Sequence, residues 1–285
     1  MIELLVEPFG YQFMRTALWC CALVGAVCGF LSAYLMLKGW SLIGDALSHS
    51  VVPGVAGAYI LGLPYSLGAF AAGFLAAGAM LFINQRSRLK QDAVIGLIFT
   101  GFFGAGLFMV SLSPTSVDVQ TIVFGNVLAI APEDSTQLLI ISVIAMTVLL
   151  ARWRELLVVF FDEAHARTVG LNPRRLKLIF FSLLSACAVT ALMTVGAFLV
   201  IALVVTPGAT AYLLTDRFSR LLILSTVLGA STSLVGVYLS YYLNGSTGGV
   251  IVVLQTALFL AAFVAAPRHG LLAARRRGQV DGVRA

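Results

Sequence analysis

The sequence predicts an all-α membrane protein, a polytopic bundle of eight or nine transmembrane helices, some of them interrupted. Three observations carry that expectation. Of 285 residues, 60% are hydrophobic and only 11% charged, where a soluble globular domain carries about 25% charged residues. Mean hydropathy is +1.01. The 18 Lys and Arg residues are bunched, with none in 39–85, 91–151, 178–216 or 221–267. The net charge of +6 then reflects basic cytoplasmic loops and calls for no nucleic-acid partner.

A span needs roughly 20 apolar residues. In chain order the candidates are 14–37, 46–62, 65–84, 92–112, 135–151, 177–195, 197–214, 220–242 and 248–266. The count is nine if Thr194-Val195-Gly196 is a tight turn, and eight if it is a break within one span. The second candidate is short, which a bundle tolerates where protein covers it. Arg86, Arg88 and Lys90 mark one cytoplasmic connection, Arg152 to Lys177 a second, and Arg217 with Arg220 a third. The tail, 268–285, holds Arg268, Arg275, Arg276 and Arg277, so the C-terminus is expected inside. The loop 113–134 carries Asp118, Glu133 and Asp134 with no base, and Asn244 to Gly249 is uncharged; both fit the outer side. Nine passes put the N-terminus outside, a direction that Arg15 runs against. Met1 to Gln12 lacks a basic n-region and a cleavage site, so the first span is expected to act as its own insertion signal. The chain, 1–285, reads as one transmembrane domain. Cys20, Cys21, Cys28 and Cys187 all fall in apolar segments and read as small buried hydrophobes.

The longest hydrophilic stretch is about 152–177. Within it Asp162 is placed to N-cap a short helix, Gly170 to end it, and Pro173 to follow the stop. Such a helix on the cytoplasmic side can be gripped by a partner protein, or it can be a solvated connector. Local chemistry leaves both open.

Of the twelve acidic residues, Asp45 alone sits inside a mostly apolar run, and His49 follows one helical turn later. Ionisable groups inside a bilayer are costly and mark ion or substrate paths. One reading is a hydrogen bond between the two that buries both. The other is a metal site, since a metal binds the ionised carboxylate and the neutral imidazole. Two ligands fall short of zinc's four or manganese's six. That deficit points to a site shared across a two-fold axis, with one ion per dimer, where two Asp and two His meet.

Pro53 cannot donate a helical bond to the carbonyl of His49 and predicts a helix break beside the pair. Pro207, in Thr206-Pro207-Gly208-Ala209-Thr210, predicts a second interrupted span. Thr206 and Thr210 either line the ion path or cap freed carbonyls, the commoner role beside membrane prolines. Gly25, Gly29, Gly54, Gly57, Gly68, Gly73, Gly101 and Gly104 permit close helix packing.

The sequence contains neither a G-x-x-x-x-G-K-[ST] phosphate loop nor His-Glu-x-x-His. It also lacks a second acid to complete an intramembrane aspartyl pair. A nucleotide-binding role and a hydrolase role are both disfavoured. A transporter or channel working without an ATPase, with Asp45 as proton relay, stays open on the residues alone.

Gly44 to Ala56, GDALSHSVVPGVA, resembles the signature of the metal-ion permeases of ABC importers, the zinc, manganese and iron group. Asp118 to Leu128 with Phe124-Gly125-Asn126, and Val195 to Leu203 followed by Thr206 to Ala211, are similar to later family segments. Asp162 to Leu171 resembles the coupling segment. The resemblance implies a type II importer fold in a bacterial cytoplasmic (inner) membrane. It implies two permeases, identical or paralogous, two ATPase subunits, and a periplasmic or lipid-anchored binding protein that delivers the metal. Asp45 and His49 then coordinate the ion. Asp162, Glu163, Ala166, Arg167 and Gly170, within about 160–173, then dock the ATPase. The ion is cargo, not a resident cofactor. Zinc members often carry an extra His where 92–112 has none, so the resemblance leans to Mn²⁺ or Fe²⁺ over Zn²⁺.

Overall fold

The computed structural model describes residues 2–40, 42–87, 89–112 and 127–266. Among them lie twelve α-helices and a single 3-10 turn, Val127–Ala129, with no strand. The helices are α1 (Ile2–Gly10), α2 (Gln12–Lys38), α3 (Ile43–Ser50), α4 (Val52–Leu61), α5 (Tyr65–Arg86), α6 (Gln91–Leu112), α7 (Pro132–Phe161), α8 (Glu163–Thr168), α9 (Pro173–Val195), α10 (Ala197–Leu214), α11 (Phe218–Leu243) and α12 (Thr247–Ala265). Eight of these are long and apolar enough to cross a membrane: α2, α5, α6, α7, α9, α10, α11 and α12. The expectations for 113–126, with Asp118 and Phe124-Gly125-Asn126, for Arg88 and for the tail 268–285 lie outside the described residues.

Three of the larger departures from the sequence reading are these. The span expected to stop at 151 continues as helix to Phe161. Its charged turn is exposed and internally paired, with Arg152 Nη1 2.7 Å from Glu155 Oε2. Leu156, Val159 and Phe160 beyond it are buried. The span expected from 177 begins at Pro173, because Asn172 caps it by accepting from the Arg175 N–H at 3.2 Å. The candidate 46–62 is two short helices, α3 and α4, parted at Val51. At Gly196 the backbone takes φ 86°, ψ 156° and separates α9 from α10. Each of those is long enough to cross by itself, as the tight-turn reading requires.

The chain divides into two compact units, residues 1–36 with 202–285, and residues 37–201. In the first, α2 and α11 touch through glycines. A Cβ on Gly25 would stand 2.5 Å from Ser233 Oγ, and one on Gly29 3.0 Å from the Ser225 carbonyl carbon. Side chains there are small enough for the backbones to meet. The two helices are antiparallel: Tyr11 beside Tyr241 (6.1 Å between ring centres) joins the start of α2 to the end of α11, and Tyr34 beside Phe218 (4.9 Å) joins their other ends. The first span therefore starts at the Asn244–Gly249 end, away from Arg217 and Arg220. Gln255 Nε2 donates to Thr232 Oγ1 at 3.0 Å and ties α12 to α11.

In the second unit α4 packs on α5 through Gly54 and Gly68, and α7 packs on α9, with Phe160 and Phe180 rings 4.6 Å apart. Gly106 of α6 lies against the helix break, where a Cβ would stand 2.9 Å from the Pro53 nitrogen. All four cysteines are buried.

Candidate metal-ion site

Helix α3 is only eight residues long and carries Asp45 in its first turn and His49 in its last. Ser48 Oγ donates to the Gly44 carbonyl (2.9 Å) and Ser50 Oγ to the Ala46 carbonyl (2.6 Å). Both hydroxyls are thus engaged with their own helix, and the ionisable side chains on α3 are those of Asp45 and His49. His49 Nε2 lies 3.4 Å from Asp45 Oδ1. The side chains are 28% and 44% exposed respectively, so the structure does not bury the pair. Among the described residues no group of three or more His, Cys, Asp or Glu could hold a metal ion.

Pro53 falls in the first turn of α4, where its missing N–H costs nothing. The break itself comes at Val51, whose N–H turns back to the His49 carbonyl. That carbonyl, expected to be bare, has a donor.

Sequence reasoning missed the walls of the site. The imidazole of His49 meets the rings of Phe99 and Phe103 edge-on, each with centres 5.5 Å apart, at 66° and 75°. Those two rings stack on each other at 5.9 Å along one face of α6. The signal available was an i, i+4 aromatic pair in the very span inspected for a histidine.

Thr206, Pro207 and Thr210 lie in the other unit. The interruption expected there is absent: α10 runs as one helix through Pro207. Thr210 Oγ1 donates to the Thr206 carbonyl at 2.8 Å, so its hydroxyl serves the helix. Ser32 of α2 bonds the same stretch of α10, donating to the Val205 carbonyl (3.1 Å) and accepting from the Gly208 N–H (3.0 Å).

The short helix expected after Asp162 is α8. Asp162 accepts from the N–H groups of Ala164 (2.8 Å) and His165 (3.2 Å), and those bonds hold its carboxyl below the usual carboxylate range. At the other end Gly170 is left-handed (φ 81°). The Gly170 N–H reaches Arg167 O at 3.1 Å and the Leu171 N–H reaches Ala166 O at 3.0 Å, a Schellman stop. Ala166 is fully buried, while Arg167, Phe161 (77%) and Val169 (59%) are exposed. Glu163 pairs with Lys38 at 3.9 Å and with Lys177.

The model of the ABC 3 transport family matches residues 10–266. The chain belongs to the ABC 3 transport family. It is 64% identical over 277 residues to the chelated iron transport system membrane protein YfeC of Yersinia pestis, covering 97% of this chain and 94% of that one. It is 48% identical over 269 residues to the manganese transport system membrane protein MntB of Synechocystis, covering 94% and 88%. Among solved structures, PsaBC from Streptococcus pneumoniae in complex with Fab superposes with a TM-score of 0.84 at 33% identity, covering 96% of this chain and all of that one. As an ABC 3 family member the chain is a multi-pass permease subunit of an ATP-driven transporter.

Proposed function

We propose that this permease imports a divalent transition metal, Mn²⁺ or Fe²⁺, and that Asp45 and His49 from two permease subunits hold the ion at their shared axis. The observation that carries this is the pair itself. A carboxylate and an imidazole stand 3.4 Å apart on a short broken helix, part-exposed, in an otherwise apolar stretch. Ionisable groups so placed mark an ion path. Two ligands per chain, doubled by a second subunit, bring four protein ligands to one ion. Relatives whose names specify iron and manganese support that cargo over zinc, as does an α6 that offers His49 phenyl edges in place of another histidine. Zn²⁺ binds N and O ligands more tightly than either, so geometry and delivery must supply selectivity.

In this reading the whole chain is one transmembrane domain of a bacterial cytoplasmic membrane. Its N-terminus and the Asn244–Gly249 loop lie outside, and its basic connections and tail inside. A binding protein delivers the ion from outside. The capped helix α8, with Asp162, Glu163, Ala166, Arg167 and Gly170, docks on a cytoplasmic ATPase pair. Its exposed Phe161 and Val169 offer the apolar contact such docking needs. Pro53 places the helix break that lets α3 move separately from α4. Thr206, Pro207 and Thr210 shape α10 from within.

The test is metal uptake by the reconstituted transporter. Asp45→Ala and His49→Ala abolish uptake while the complex still elutes as a folded assembly. Equilibrium binding gives one ion per two permeases. Normal accumulation by both variants, or one independent site per subunit, would overturn the shared site. Elemental analysis of cells lacking this chain names the cargo.

A further inference from the structure

Glu163 opens α8, and its carboxylate reaches lysines on two other helices. Lys177 of α9 is only 5% exposed, and Glu163 Oε1 is its partner. A buried ammonium depends on its counter-charge, so this arm fixes the start of α8 to α9. The second arm has another character. Lys38, the last residue of α2, is 3.9 Å away, and both groups are partly in solvent. A pair of that kind adds little to stability. Its importance is positional: α3 begins five residues later, and Asp45 is the third residue of α3.

Gly39 and Trp40, which follow Lys38, are held at defined points. Gly39 is left-handed (φ 73°), a conformation that glycine adopts without strain. Trp40 is buried, with its ring 5.7 Å from that of Phe160 and 5.3 Å from that of Phe181, and its indole N–H donates to the Gln91 side chain. Phe160 stands three residues before Glu163, at the end of the helix that leads into α8. Gln91 is the first residue of α6, the helix whose Phe99 and Phe103 flank His49. The supports of both site residues thus converge on Lys38 and Trp40, and so does the entry to α8.

We infer that Lys38 and Trp40 are the positioning residues that link α8 to the Asp45–His49 site. Displacement of α8 passes through Glu163 to Lys38 and through Phe160 to Trp40, and from there into α3 and α6. This rests on the reading of α8 as the ATPase-docking segment. The weak, solvated arm is the one suited to change between states, since forming or releasing it costs little, while the buried arm keeps α8 attached throughout.

The experiment uses the complete transporter, permeases with ATPases, in proteoliposomes, and reads ATP hydrolysed and Mn²⁺ moved in the same sample. Lys38→Ala and Trp40→Phe, which keeps a ring but loses the indole N–H, assemble with the ATPase and hydrolyse ATP at rates near wild type. The Mn²⁺ moved per ATP falls about tenfold, the scale of a typical coupling between sites, and Lys38→Arg restores it. An unchanged ratio in Lys38→Ala would overturn the inference. So would failure of Lys38→Ala to assemble, because the residue would then belong to the fold and not to the coupling. If the wild-type permease neither binds an ATPase nor needs ATP for uptake, the docking role of α8 fails and takes this inference with it. If wild type does both and Lys38→Ala couples normally, the docking role stands and only the link falls.

Discussion

Gly54 of α4 and Gly68 of α5 face each other so closely that neither position has room for a Cβ. One built on Gly68 would stand 2.6 Å from the Cβ of Ala58, and one built on Gly54 would stand 2.6 Å from the Cβ of Ala72. Each would also overlap the carbonyl oxygen of the other glycine. The contact fixes α4, the half of the broken span that follows Pro53, against its neighbour. Helix backbones meet this closely in membranes where small residues line the interface. Gly68→Ala therefore forces the two helices apart, at a cost of about 1–3 kcal/mol, the usual range for overpacking. Thermal unfolding of the solubilised permease measures it. Gly78, on the same helix with nothing within 4 Å of its would-be Cβ, is the control: Gly78→Ala leaves the melting temperature unchanged or raised. Equal melting of the two variants would refute the close approach.

Much of this arrangement was legible in the sequence, and the failures have a common cause. Apolar runs of span length found the eight long helices, because burial in lipid leaves its mark residue by residue. The ends of α7 and α9 were misplaced because charge marks where a helix leaves the membrane, whereas the hydrogen-bond ladder continues past Arg152 to Phe161. Pro53 correctly announced a break, two residues off, since proline is suited to the first turn of the helix that follows. Asp45 and His49 stood out because an acid and an imidazole are rare in such surroundings. Phe99 and Phe103 did not stand out. Their contact with His49 joins positions about fifty residues apart, and a phenylalanine in a span looks the same whether it faces lipid or a ligand. Pro207 misled for a related reason: α10 runs on through it, and the hydroxyl that bonds its neighbours Val205 and Gly208 belongs to Ser32, 173 residues from Val205.

The rings of Phe99 and Phe103 meet the His49 imidazole edge-on, and in the proposed site a ligand held in place binds its metal better than one free to turn. Phe103→Ala removes one wall. The expected result is a rise of about tenfold in the metal concentration needed for half-maximal uptake, in line with the loss of a ligand-orienting contact. The maximal rate changes less, because Asp45 and His49 remain. Phe103→Leu, which keeps bulk against the ring, lies between. Uptake measured over a range of Mn²⁺ concentrations separates the two parameters, and an unchanged half-maximal concentration in Phe103→Ala would remove these rings from the site.

Ser32 holds α2 against the proline-containing helix with one hydroxyl that both donates and accepts. Ser32 and the Gly208 N–H are buried. Ser32→Ala removes the hydroxyl from both partners, and a hydrogen bond contributes about 0.5–1.5 kcal/mol net. Ser32→Thr keeps the hydroxyl but adds a methyl where Gly208 already lies against Ser32, so it does not rescue. Both variants lower the melting temperature of the solubilised permease. A wild-type melting curve for Ser32→Ala would show that the hydroxyl bridge contributes nothing.

Asp162 supplies a pH dependence confined to acid. Its carboxyl is held below the ordinary value of 3.8, first by the His165 N–H and then by the Ala164 N–H. A group whose folded-state pKa is lowered stabilises the structure when ionised. The cap is therefore fully present above pH 3.8 and is lost as pH falls through the lower, folded-state value. Between neutrality and pH 5 the cap of α8 is unaffected. Hydrogen exchange at Ala164 and His165, corrected for the intrinsic rate at each pH, reads this directly. Protection in the wild type holds down to the carboxylate range and then falls. Asp162→Asn keeps a neutral acceptor at the N-cap, so its protection is lower but flat across the same range. Asp162→Ala loses protection at every pH. Equal protection in Asp162→Ala and wild type at neutral pH would mean that α8 is ordered without its cap, and that the carboxylate serves only whatever docks there.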